Sequence, residues 1–211
     1  MVTKKKTSGL KSKKFKILAA GDFHGDSKAT KKLAEKAKKE NVDLVVLTGD
    51  ITGLVETDNI IKPFIDNGKR VVFVPGNWED EHTASFLSKL YGVKNVEDNY
   101  LVYGDGRVGI FGVGSAGRLE LQEGKTFKKL KKDFQKVKDL EKKIMISHIH
   151  AKGTKSEFSG FEGSSGVRKA IDEFQPDVFL SGHIHEGEGL KETIGRTKVY
   201  NVGKKGRIIE L

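Results

Sequence analysis

Seven residues of this 211-residue chain could do chemistry together, and each follows closely on a short apolar run. Ile17–Ala20 leads into Asp22 and His24, Leu44–Thr48 into Asp50, and Val71–Val74 into Asn77. Ile144–Ser147 leads into His148, and Val178–Ser181 into His183 and His185. Imidazole, carboxylate and amide oxygen together suit hard or borderline divalent cations: manganese first, then iron, zinc, nickel or cobalt. The chain has no cysteine, so disulfides, thiolate metal sites and a cysteine nucleophile are excluded. Two such ions typically sit about 3.5–4 Å apart and clamp both the attacking and the leaving oxygen of an in-line displacement. Asp50 suits a bridging role, because a carboxylate offers two oxygens and a charge.

Spacing supports a shared target. Asp22 and His24 are two residues apart, as are His183 and His185. In extended backbone such pairs point to the same side. Gly21, Gly25, Gly49, Gly76 and Gly182 flank these positions and permit tight turns. Taken singly the signals are weak. Asp22 reads as a helix cap, Asp50 and Asn77 as turn residues, and a lone histidine as a core or surface group. Seven at successive strand ends are hard to assign to turns. His150 is expected to support the ligands or face the substrate, and His82 to be an exposed helix residue. Glu79 either bonds within the site or favours the first turn of its helix.

The elements that must carry these residues alternate. Strands are expected at 15–20, 43–48, 70–74, 144–147 and 177–181, and helices at 28–40, 58–67, 79–91 and 166–174. Gly68 fits a C-terminal cap. This order implies βαβ units and a largely parallel sheet, whose C-terminal edge is where α/β proteins bind ligands. Short strands at 100–103 and 108–113 flank a Gly104-Asp105-Gly106 turn. A Lys-rich amphipathic helix is expected over 125–143, and antiparallel strands over 189–211, adding a second sheet or closing the first.

The formal net charge of +10 favours phosphate-rich partners. Much of it lies in a tail, residues 1–14, with Lys4, Lys5, Lys6, Lys11, Lys13 and Lys14. That tail is expected to be loosely held, ahead of one domain over 15–211. No apolar run approaches the roughly 20 residues of a membrane span. A cytoplasmic location is expected.

In order along the chain, Asp22-Phe23-His24, Gly49-Asp50, Gly76-Asn77, His148 and Gly182-His183-Ile184-His185 resemble the calcineurin-like metallophosphoesterases. The resemblance spans residues 16 to about 203. It implies a four-layer α/β/β/α sandwich with mostly parallel central strands and antiparallel C-terminal strands. It also implies one metal on Asp22, His24 and His185 and another on Asn77, His148 and His183, bridged by Asp50. Asp50, Asn77 and His148 are thereby also the catalytic candidates, and a water or hydroxide between the metals is the implied nucleophile. One departure matters: Trp78 stands where many members carry histidine, thought to protonate the leaving oxygen. Trp78 has no such proton and is expected to wall the pocket or stack on an aromatic substrate. The implied activity is phosphodiester or phosphomonoester hydrolysis of a small substrate, nucleotide-derived ones among the candidates. The alternatives are a nuclease acting on nucleic acid and a non-catalytic interaction module of the same fold. The loops 114–125 and 151–165 are expected to set the substrate.

Overall fold

A computed structural model describes residues 14–53 and 59–211. The basic tail up to Lys13 lies outside the described residues. Lys14 is described, and its ammonium lies 3.3 Å from Glu210.

The apolar runs form two sheets. The first holds β1 (Lys16–Ala20), β2 (Leu44–Leu47), β3 (Val71–Phe73), β4 (Lys94–Asn95) and β11 (Arg207–Glu210), in the order β11-β1-β2-β3-β4. Its strands are parallel except β11, which pairs antiparallel with β1. The second holds β5 (Tyr100–Tyr103), β6 (Val108–Val113), β7 (Lys142–Ser147), β8 (Val178–Ser181), β9 (Lys191–Ile194) and β10 (Thr197–Asn201), in the order β5-β6-β7-β8-β10-β9. Strands β6, β7, β8 and β10 are mutually parallel, and β5 and β9 run antiparallel at the edges.

Side-chain alternation builds the layers. Ile17, Ala19, Leu44, Val46 and Val72 face Val108, Ile110, Ile144, Ile146, Val178 and Leu180 of the other sheet in one buried cluster. Their sequence neighbours Leu18, Ala20, Val45, Leu47 and Phe73 point the other way, into a cluster with Leu33, Ala37, Phe64 and Leu87. Those four lie on or beside α1 (Ser27–Lys39), α2 (Lys62–Asp66) and α3 (Glu81–Tyr91). On the far side, Phe111, Met145 and Phe179 pack against Leu130, Val137, Ala170 and Ile171 from α4 (Glu123–Val137) and α5 (Ser165–Phe174). A period of two on strands covered on both faces thus yields the four-layer sandwich.

Several expectations need correction. Helix α2 starts at Lys62 rather than 58, because Pro63 suits only the first helical turn; residues 54–58 lie outside the described residues. Helix α4 ends at Val137 rather than 143, since Lys142 and Lys143 already belong to β7, where the Lys143 amide donates to Asp177. The C-terminal segment splits between the sheets, and β10 runs parallel to β8 rather than antiparallel throughout. Strand β4, two residues long, carried no periodic signal. Among the described residues no helix is long and apolar enough to cross a membrane.

Candidate metal centre

All seven candidates leave the C-terminal ends of β1, β2, β3, β7 and β8, and the geometry brings them together. The loops after β1 and β2 extend their ladder beyond the strands: the Asp22 amide donates to the Gly49 carbonyl at 3.0 Å and the His24 amide to the Asp50 carbonyl at 2.9 Å. Across the sheets, the His183 amide donates to Asp22 Oδ1 at 3.1 Å; within the second sheet, the Gly182 amide donates to the His148 carbonyl at 3.0 Å, extending the β7–β8 ladder. Glycine is required where these loops cross. A Cβ on Gly76 would sit 2.1 Å from Asp50 Oδ1, and one on Gly49 would sit 2.6 Å from the Gly76 amide nitrogen.

The pairs do not converge by extended backbone. Asp22, His24, Asp50 and His183 have φ of 54°, 48°, 49° and 70°. Left-handed backbone is uncommon for residues other than glycine and costs free energy that the surrounding hydrogen bonds must offset. The ligands are therefore aimed by turns that begin after Ala20 and Ser181, where the strands end.

Two donor groups result, each with its ligating atoms within 4.8 Å of one another: Asp22, His24 and His185, and Asp50, His148 and His183. In the first, His24 Nε2 and His185 Nε2 face each other at 3.0 Å, and Asp22 Oδ1 lies 4.0 Å from His185 Nε2. In the second, Asn77 Oδ1 lies 2.9 Å from His148 Nε2 and 3.1 Å from His183 Nδ1. Asp50 stands between the groups. Its Oδ1 accepts the Trp78 amide at 2.9 Å. Its Oδ2 lies 3.7 Å from His24 Nε2 and 3.4 Å from His148 Nε2.

The polar atoms of this cluster are not all matched by one another. His148 is fully buried, and its Nδ1 donates to the Thr48 carbonyl at 2.9 Å. Its Nε2 faces two oxygens at once, Asn77 Oδ1 at 2.9 Å and Asp50 Oδ2 at 3.4 Å. Asp22 Oδ2 and His24 Nδ1 are buried without a partner. A buried lone pair left unmatched is costly, and a divalent ion satisfies several at once. The donor set thus fits two neighbouring cations.

The electrostatics agree. Burial pushes the Asp22 carboxyl up to about 6, against the pull of His148. Burial likewise pushes His183 down to about 4, helped by His148, and lowers His24. For Asp50 burial acts upward but loses to the hydrogen bond and charge of His148, so the carboxyl stays below its ordinary value. For His148 burial acts downward but loses to Asp50, so the imidazole is held above its ordinary value. Carboxylates and imidazoles pushed apart in this way mark functional sites.

With this geometry in view, the comparisons with known proteins decide the family. Residues 15–187 match the calcineurin-like phosphoesterase family. The chain belongs to that family. Among solved structures similar to this phosphoesterase is TT1561 of Thermus thermophilus. It is 20% identical with a TM-score of 0.70, over 92% of this chain and 91% of that one. A dimetal phosphatase from Danio rerio is 13% identical with a TM-score of 0.63, over 90% and 88%. An archaeal phosphodiesterase is 18% identical with a TM-score of 0.51, over 93% and 99%. At these identities the likeness shows a common fold. A search of curated proteins finds no match. The phosphoesterase is thus a hydrolase of phosphate esters from a metal-dependent family.

The remaining candidates fall in place around it. Asp26, not Asp22, caps α1, accepting from the Ala29 amide at 2.9 Å. His150 is buried and its Nε2 donates to the Phe161 carbonyl at 3.2 Å, outside both donor groups. His82 is exposed on α3. Trp78 is 40% exposed and its ring meets His24 edge-on, centroids 4.7 Å apart. Glu79 precedes α3 rather than opening it, since Asp80 is the cap, accepting from Thr83 at 2.7 Å. Fully buried, it accepts from the Ile51 and Thr52 amides and the Thr52 hydroxyl at 2.8–2.9 Å, and from the Gly76 amide at 2.9 Å. One carboxylate therefore ties the Asp50 loop to the Asn77 loop. Sequence reading left that role open; a glutamate directly after Asn77-Trp78 was the available signal.

Proposed function

We propose that this chain is a phosphodiesterase acting at a dinuclear metal site. Asp22, His24 and His185 would hold one ion and Asn77, His148 and His183 the other, with Asp50 shared between the two groups. The observation carrying this is Asp50 Oδ2, which lies within 4 Å of an imidazole nitrogen from each donor group while its Oδ1 is held by Trp78. Bound divalent ions would supply Lewis acidity toward the phosphoryl oxygens and lower the pKa of an attacking water. The chain's own part is positioning. Thr48 fixes the His148 tautomer, the Asp22 carboxylate orients the His183 backbone, and Glu79 holds the two loops in register. Trp78 has no titratable proton to give a leaving oxygen, so diesters with good leaving groups are the preferred substrates. The intact donor set disfavours the non-catalytic alternative. Manganese is the first ion to test, given nitrogen and oxygen donors and no thiolate. Residues 15–211 act as one catalytic unit, and a cytoplasmic setting accords with the lack of cysteine.

The test is an activity matrix of manganese, iron, zinc, nickel and cobalt against monoesters, diesters, cyclic nucleotides and oligonucleotides. Asp50→Asn is the control. It should lose about 4 kcal/mol of transition-state stabilisation, on the order of 10³-fold in rate. Retained activity in Asp50→Asn would refute the bridging role.

A further inference from the structure

Phe158 and Phe161 are 62% and 58% exposed, yet the loop that carries them is firmly built. Its ends are joined by the Ala151–Ser164 bridge, with the Ser164 amide donating to the His150 carbonyl at 2.8 Å and the Lys152 amide to the Ser164 carbonyl at 3.0 Å. Inside, Glu157 accepts the Gly163 amide at 3.0 Å, and the Thr154 hydroxyl donates to the Ala151 carbonyl at 2.8 Å. The buried His150 donates to the carbonyl of Phe161 itself. A loop braced in this way presents its aromatic rings in a fixed place, which lowers the entropy lost on binding.

That place is the lip of the metal centre. The Phe161 ring meets His183 edge-on, centroids 5.7 Å apart. A cleft lies on each side of Phe161, and His183 lines both. One, of about 340 Å³, runs between this loop and the 119–123 segment, with Leu119, Leu121 and Ile149 in its wall. The other, of about 390 Å³, is walled by Phe158 and Ile184. Each is near the lower end of the roughly 300–1,000 Å³ range of small-molecule sites. The charges in them are unexpected in so basic a protein. The first cleft holds Glu120, Glu123 and Glu162 against Lys152 alone, and Lys152 is paired with Glu162. The second holds Glu186 and neither lysine nor arginine.

We propose that the two clefts receive the two organic substituents of the phosphodiester, with Phe161 as the wedge between them and a planar ring packed against it. This deepens the phosphodiesterase reading and rests on it. A phosphorus atom held at the donor groups has His183 beside it, and His183 opens onto both clefts. Each cleft is apolar enough for a nucleoside-like group and too acidic for a further phosphate. The substrate class is a short diester with uncharged arms, such as a dinucleoside monophosphate, rather than a polynucleotide with its continuous negative charge.

Two measurements decide it. The first needs no turnover: saturation-transfer NMR of adenosine with the protein, with and without manganese. Adenosine should bind wild type and bind Phe161→Ala more weakly by on the order of 10-fold, as expected for loss of one base–aromatic stack. Phe161→Leu, which keeps apolar contact without the ring, should fall between. Absence of adenosine binding, or equal binding to Phe161→Ala, overturns the proposal. In the second, Phe161→Ala should lower kcat/KM for bis(para-nitrophenyl) phosphate about 10-fold more than for para-nitrophenyl phosphate. Wild type should also cleave a dinucleoside monophosphate with higher kcat/KM per bond than a long single-stranded oligonucleotide; the reverse order overturns the proposal. If wild type cleaves no ester with any metal, the hydrolase reading fails, while the adenosine titration still decides the clefts.

Discussion

The two halves of the proposed metal centre are built to different standards. The half around His148 is interior: the ring is fully buried, its Nδ1 is fixed by the Thr48 carbonyl, and Asn77 and Asp50 converge on its Nε2. The half around His185 is at the surface, where the His185 side chain is 55% exposed and the buried His24 Nδ1 has no partner to fix its tautomer. Ligands whose protons and orientations are set beforehand lose less entropy on binding. The inner half should therefore hold its ion tightly, and the outer half should exchange.

The strongest way to break this comparison is to remove one histidine from each half. His148→Ala should abolish inner-site metal and lower activity on the order of 10³-fold or more, because it also removes the Thr48 carbonyl's partner and the imidazole beside Asp50 Oδ2. His185→Ala should keep one ion and lower outer-site affinity roughly 10- to 100-fold. Metal content after dialysis, read beside activity, checks both. Equal losses from the two variants would mean the halves are not distinct.

These two halves were not equally legible in the sequence. The positions of the seven candidate residues were, because polar residues that recur at the ends of five apolar strands are hard to assign to turn formation alone. Their aim was not. A period of two describes extended chain, whereas Asp22, His24, Asp50 and His183 point through left-handed turns whose geometry depends on contacts between distant loops. The difference in burial between His148 and His185 was equally hidden: both follow central strands of the second sheet, but His148 comes directly after β7 whereas His185 lies beyond the end of β8, in the short turn His185–Gly187. The central strands were legible from their apolar runs, while β4 and the split of the last strands between sheets depend on long-range pairing. Phe158 and Phe161 fall in the 151–165 loop expected to set the substrate, but only the folded chain places them beside His183.

Glu79 offers the next largest effect, and it acts on the inner half. Glu79→Ala would strip the partner from three buried amides and a hydroxyl. At about 1–3 kcal/mol for each buried donor left unmet, and with some recovered by water, a loss of about 3 kcal/mol or more is expected. Glu79→Gln, which keeps the shape and two acceptor lone pairs, should lose less. Thermal unfolding measures the stability. Inner-site affinity separates a positioning role from a merely structural one, because Asp50 and Asn77 move apart only if Glu79 holds them.

pH sharpens the contrast further. Metal binding displaces any proton its ligand carries, so affinity falls as pH drops below that ligand's pKa, about tenfold per unit for each proton. In the outer half Asp22 titrates at about 6, so the affinity gain from losing its proton should level off above that pH. In the inner half His183, at about 4, is already neutral, but His148 is held above the ordinary histidine value. Inner-site affinity should thus keep rising beyond the point where the Asp22 contribution has levelled off. Calorimetric manganese titrations between about pH 5 and pH 8 test this, and a pH-independent inner site would contradict the His148 assignment.

The smallest expected effect concerns Trp78, which touches the centre in two separable ways. Its backbone amide donates to Asp50 Oδ1, and any residue other than proline keeps that bond. Its ring packs edge-on against His24 of the outer half. Trp78→His should therefore leave the bridge in place and add a titratable proton near the leaving oxygen. A well-positioned general acid contributes about 10²–10⁴-fold for a poor leaving group. A histidine set among contacts shaped for an indole should recover only part of that, about 10-fold for alkyl diesters. Aryl diesters, whose leaving groups need no proton, should gain little. The ratio of alkyl to aryl rates is the readout. An unchanged ratio would mean that the proton is not what this site lacks, and that Trp78 matters only as a wall against His24.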